Sequence, residues 1–242
     1  MKMAEVIHMN YHLLQIVSRF GIQMGFGDKT IAQVCRMYDI NSGFFLEIIN
    51  SFHDKNYFPK KHLREFSLGL IVNYLKKSHE FYLQIKIPEI DRLMHTLITN
   101  AKENTNNHFE LIEKFFLDYK NELFDHINRE EEKVYPYVLA VEEAFRLKAP
   151  NPEIVARIKE YSIEDFENEH DNVEDKLFDL KNLLIKYLSS PVDTNLCNTI
   201  LVELFRLESD LNDHARMEDK VLVPKVKYME KWIHDHYIPA IK

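Results

Sequence analysis

Glycine is scarce in this chain, at 5 of 242 residues, and four of the five (Gly21, Gly25, Gly27 and Gly43) fall in its first quarter. A β-rich protein of this length needs more turn-formers, so helices are favoured. Cysteine is nearly absent: Cys35 and Cys197 stand far apart, which excludes a thiolate metal cluster and gives no sign of a disulfide framework. No apolar run approaches 18 residues, so no membrane span is expected. His8, Asn10 and His12 interrupt residues 1–17 and spoil them as a secretory signal, so the cytoplasm is the expected location. Basic residues number 31 against 39 acidic ones, for a net charge of −8, which argues against nucleic acid as the main partner. Residues 1–65 hold eight Lys/Arg and six Asp/Glu, a balance of +2, leaving −10 for the rest. Any DNA contact would have to come from that front segment.

What the chain does have is helical periodicity. Four stretches, 66–99, 104–147, 153–189 and 194–231, carry apolar residues at three- and four-residue steps, such as Leu68, Ile71, Val72 and Leu75. Turn and capping residues separate them at 99–100, 149–152 and 189–193. The expected fold is all-α: an up-down-up-down four-helix bundle over 66–235, preceded by a small helical domain over 1–62. The segment 53–61 reads as the linker between them.

Two segments of the bundle repeat one pattern. His126-x-x-x-Glu130 and His214-x-x-x-Glu218 each have a second acid directly after the glutamate and a proline ten residues past the histidine, Pro136 and Pro224. Residues four apart share a helix face, so each segment aims an imidazole and a carboxylate at one point. The other two helices supply His79 and His170, and the intervals 79–126, 126–170 and 170–214 are 47, 44 and 44 residues. Near-equal intervals return an alternating chain to the same level on each pass. Four histidines and two glutamates therefore converge on one layer. Six such side chains exceed one tetrahedral zinc, and the two matched motifs run His-x-x-x-Glu, not the Glu-x-x-His of ferritin-like sites. Two metals sharing Glu130, Glu218 and a solvent-derived bridge, with two histidines each, would each keep one open position.

At these residues the chain resembles the hemerythrin-like superfamily, and more narrowly the di-iron proteins that repair iron-sulfur clusters. The resemblance implies a centre of two iron ions, oxo- or hydroxo-bridged, with His79, His126, His170 and His214 as terminal ligands and Glu130 and Glu218 as bridges. It implies reactivity toward nitric oxide, oxygen or peroxide, and damaged iron-sulfur proteins as partners. It also places carboxylates beside the metals at Glu122 and Glu169, as candidates for proton delivery or for holding imidazole rings. Two departures stand out. The family's adjacent cysteine pair in the small domain is replaced by Gly43 and Phe44, which removes the expected thiol chemistry. The fifth histidine of oxygen carriers is replaced by Glu174, which speaks against simple oxygen carriage and reads as an acid on the solvent side or behind the ligands.

The remaining candidates have plainer readings. His53, His62, His95, His108, His234 and His236 are expected in solvent, His8 and His12 as a surface or packing feature, and Glu131 and Glu132 on a solvated face, while Asp219 points about 100° away from its ligand neighbour. Cys35 and Cys197 read as small hydrophobes. The segment 30–49 has the outline of a helix-turn-helix, but Phe44 to Phe52 offers only Glu47 and Asn50 and no Lys or Arg. A gas or redox sensor signalling through that module to DNA or a protein is the alternative function.

Overall fold

The computed structural model describes residues 1–54, 56–101, 108–168, 173–188 and 193–237. The chain is all-α, with no strand among the described residues. Five short helices lead: α1 (Met3–Met9), α2 (Leu13–Arg19), α3 (Ile31–Met37), α4 (Ser42–His53) and α5 (Lys60–Leu63). Thr30 and Gln33 cap α3 reciprocally, and the Asn41 side chain accepts from Phe44 N–H at the start of α4. Gly21 (φ 74°) and Gly27 (φ 63°) turn the chain between α2 and α3 in a region that other residues adopt only with strain.

The bundle follows. Its first helix spans 68–101, its second 108–147 and its fourth 194–237. Ser67 caps the first, and the Glu142 carboxylate, from the second, also accepts the Leu68 and Gly69 N–H groups. The third stretch departs from expectation. In place of one helix over 153–189, the structure has Pro152–Glu160, Ile163–Asn168 and Val173–Tyr187. Tyr161 is extended, and Ser162 and Asp165 hydrogen-bond each other's backbone N–H, which starts a new helix. No described helix is long and apolar enough to cross a membrane.

Three bundle helices contain one wide, π-helical turn each: Tyr82–Lys86, Glu130–Val134 and Glu218–Leu222. In each, the residue after the turn donates its N–H five residues back: Ile87 to Tyr82, Tyr135 to Glu130 and Val223 to Glu218. A proline follows at once, at Pro88, Pro136 or Pro224. Inside a regular helix, proline lacks the N–H and its ring strikes the carbonyl four residues back. The wider turn absorbs that conflict, and the helix continues.

Among the described residues, the buried side chains form two apolar clusters. One joins α1–α5, through residues such as Ile16, Phe44 and Ile48, to Leu68–Leu75, Val134–Ala144, Ile154–Phe166 and Met217–Ile233. The other joins Phe81–Ile98, Phe109–Ile127, Leu177–Leu184 and Ile200–Leu211. The first cluster crosses the division at 62–66 that the sequence suggested, so the front segment shares a core with one end of the bundle. Arg19 of α2 reinforces the join. Its buried guanidinium makes a two-point ion pair with Asp210 of the fourth helix and lies over the rings of Phe81 and Tyr82, at 4.5 and 5.4 Å. Burial opposes its charge, but Asp210 outweighs that and holds the arginine protonated.

Replacing Arg19 with Ala should lower the unfolding free energy by about 3–5 kcal/mol, because Asp210 is left charged and buried. Urea unfolding measures this, and adding Asp210→Ala should recover part of the loss. A loss nearer the ~1 kcal/mol of a surface pair would show that water reaches Asp210.

Candidate metal centre

The two clusters part where the sequence places its histidines and glutamates. On the first helix the gap lies between Leu75 and Phe81, on the second between Ile127 and Val134, and on the fourth between Leu211 and Met217. His79, Glu130, His214 and Glu218 fill this layer, and all four are buried. His79 Nε2 lies 3.2 Å from His214 Nε2 and 3.2 Å from Glu130 Oε2. The other Glu130 oxygen, Oε1, lies 3.1 Å from His126 Nε2, and Glu218 Oε1 is 3.6 Å from His214 Nε2. Ligand atoms of His79, Glu130 and His214 all fall within 4.8 Å of one another.

These side chains fit a metal. Bonds of 2.0–2.2 Å to nitrogen and oxygen put neighbouring ligands about 3 Å apart. Two imidazole nitrogens facing at 3.2 Å need a proton or a cation between their lone pairs. Glu130 turns one oxygen to each of two histidines, as a carboxylate shared by two ions would.

The surroundings orient the set. Glu131 Oε1 bonds His79 Nδ1 at 2.9 Å, which leaves Nε2 to face the centre. Glu131 is therefore not a purely solvated neighbour: it is 35% exposed and serves the centre. Tyr135 is fully buried, donates to Glu218 Oε1 at 2.9 Å, and has its hydroxyl 3.4 Å from His79 Nε2. Sequence reasoning missed both. On a regular helix at 100° per residue, Glu131 would point about 140° from His126, and Tyr135 about 180° from it. The π turn at Glu130–Val134 alters that register. A tyrosine directly before the proline of a His-x-x-x-Glu helix is the signal that could have found it.

Electrostatics follow the geometry. Burial disfavours a charged His79, but hydrogen bonds to Glu130 and Glu131 and the charges of Glu130 and Glu218 outweigh it, raising it to about 9. The His79 contact in turn holds Glu131 below the usual carboxylate range. Burial and the carboxylates of Glu218 and Glu130 push the Tyr135 phenol well up.

Other expected positions divide. Glu122 is exposed and paired with Lys176, at the surface rather than in the buried layer. Glu169 and His170 lie outside the described residues, as does the side chain of Glu174. Asp219 is exposed, as are His8, His12, His53, His62, His95, His234 and His236. The side chain of His108 also lies outside the described residues. Cys35 is buried and free, its thiol pushed up by burial.

A helical bundle that buries histidines and carboxylates in one layer defines a cation-binding protein. This chain belongs to the hemerythrin family: the family model of the hemerythrin HHE cation binding domain matches residues 88–226, more than half of it. No curated protein matches the chain. The matched stretch contains His126, Glu130, His170, His214 and Glu218. His79 precedes it, and the contacts above bring it to the centre.

Two outcomes are expected of metal-binding titrations against a chelator. Glu131→Gln should weaken affinity about 10- to 100-fold by loosening His79, while Asp219→Asn should leave it unchanged. Binding should also weaken as pH falls below about 9, because the cation displaces the His79 proton. In the metal-free protein the sign reverses. The imidazolium contacts stabilise the fold fully below the ordinary 6.5, and that contribution is lost as pH rises through about 9. Affinity that is flat over this range would mean His79 carries no proton to displace.

Proposed function

We propose that this protein holds two iron ions and reacts through them with nitric oxide, oxygen or peroxide. The observation that carries the reading is the convergence of both His-x-x-x-Glu motifs, with His79, on one buried layer between two apolar clusters. His79 and His214 face one ion position, and His126 faces a second across Glu130. His170 completes the set in this reading. It falls in the chain between Phe166 of one cluster and Leu177 of the other, the interval at which the other helices place their ligands. Bound iron would supply one-electron redox chemistry and an open position for a small ligand. The chain's own part is to exclude bulk water with two apolar clusters, to orient His79 through Glu131 and to hold Glu218 through Tyr135.

A role related to iron-sulfur repair accords with the resemblance, but only through the metal. Gly43 and Phe44 stand where repair proteins carry a cysteine pair, and Phe44 is packed against the rings of Phe20, Phe66 and Tyr74. A buried thiol such as Cys35 is a poor nucleophile. The sensor reading draws less support. Helix α4 spends Phe44, Phe45, Ile48 and Ile49 on the shared core and contains no Lys or Arg. Two free cysteines accord with a cytoplasmic location.

Protein purified without oxygen and loaded with iron should hold about two irons per chain and show near-ultraviolet bands of a bridged ferric pair on oxidation. Nitric oxide added to the reduced form should change its spectrum, and His214→Ala should abolish both signals. One zinc per chain, with no bands after iron loading, would end this reading.

A further inference from the structure

The Tyr135 hydroxyl stands among the ligand atoms, not behind them. Groups that merely orient a metal-binding histidine bond its outward nitrogen, as Glu131 does at His79 Nδ1. Tyr135 instead faces Nε2, the nitrogen turned to the centre, at 3.4 Å. It also touches Glu218 Oε1 at 2.9 Å, the oxygen that faces His214. The 3.4 Å spacing falls within the 3.1–3.6 Å found among the histidine and glutamate atoms, and the 2.9 Å one just below it. The hydroxyl thus stands within the same group of facing atoms. Its ring lies nearly parallel to the His79 imidazole, 11° off with centroids 5.6 Å apart, and is fully buried, so the oxygen has little freedom to withdraw. The matching residue of the fourth helix is Val223, so that helix does not repeat the feature.

We propose that Tyr135 is a metal ligand, its phenol oxygen binding the ion held by His79 and His214. The inference rests on the metal reading above but not on which oxidant that centre meets. As the ion enters, the phenol O–H bond breaks, the oxygen–metal bond forms and the proton leaves to solvent. A bound cation inverts the local preference for the protonated form, as it does for coordinated water or thiol. The hard oxygen donor favours the ferric state. It also closes the coordination position on the His79 side, which leaves the small ligand to approach the ion beside His126.

The test uses the full chain loaded with ferric iron, with bound iron measured per chain. Wild-type protein should show a visible phenolate-to-iron absorption whose resonance Raman spectrum carries tyrosine ring modes. Tyr135→Phe should keep its helical circular dichroism and at least half of its iron but lose the absorption. Uptake should also release one proton fewer than in wild type. Iron bound to wild-type protein without this absorption would overturn the proposal and leave the metal centre standing. An absorption that survives in Tyr135→Phe would overturn it too, by placing the ligand on another tyrosine. Failure of the wild type to bind iron at all would overturn both readings.

Discussion

The structure depends on one costly act: burying several ionisable groups in a single layer between apolar clusters. An unpaired buried charge costs several kcal/mol, so such a layer persists only where each group has a partner. Here the partners are the members themselves. Glu130 spans His79 and His126, Tyr135 ties Glu218 back to His79, and Glu131 reaches in from the half-exposed face. Carboxylate oxygens and imidazole nitrogens turned toward one another are the donors that a cation needs. The apolar clusters on both sides exclude water, which would otherwise compete for the same donors.

The prolines and π turns belong to the same design. Each wide turn takes up the conflict that the proline after it creates, so the helix runs on past the centre. Two of the three wide turns begin on a glutamate of the layer. The helices therefore keep their direction while their side-chain register shifts. Through that shift one helix offers His126, Glu130 and Tyr135 to the layer, a combination that regular helical geometry forbids.

How much of this was legible before the structure depends on the range of the forces involved. Apolar periodicity marks the long helices because each turn repeats the same burial decision, and the four-residue His-to-Glu step needs only local geometry. His79 is suggested by level, through near-equal chain intervals, and lies beside His214 and Glu130. Tyr135 and Glu131 were hidden because their orientation hangs on a hydrogen-bond pattern that changes inside the helix. The break at Tyr161 was missed because the apolar pattern continues across it, through Ile158, Ile163 and Phe166, while a Ser162–Asp165 cap decides the backbone. The front segment looked separable because its glycines and charged linker dominate its composition. Its burial against the bundle is a long-range event, expressed in residues such as Arg19 and Asp210 that no local window connects.

That long-range pairing has a consequence for how the molecule is made. Arg19 and Asp210 are 191 residues apart. A ribosome delivers Arg19 long before Asp210, and α1–α4 before the bundle surfaces that they pack against. Contacts of such separation are slow to form and leave apolar surface open meanwhile. Helices α1–α4 can therefore complete their packing only once the fourth bundle helix is made, because Phe44, Phe45 and Ile48 share their core with Met217–Ile233.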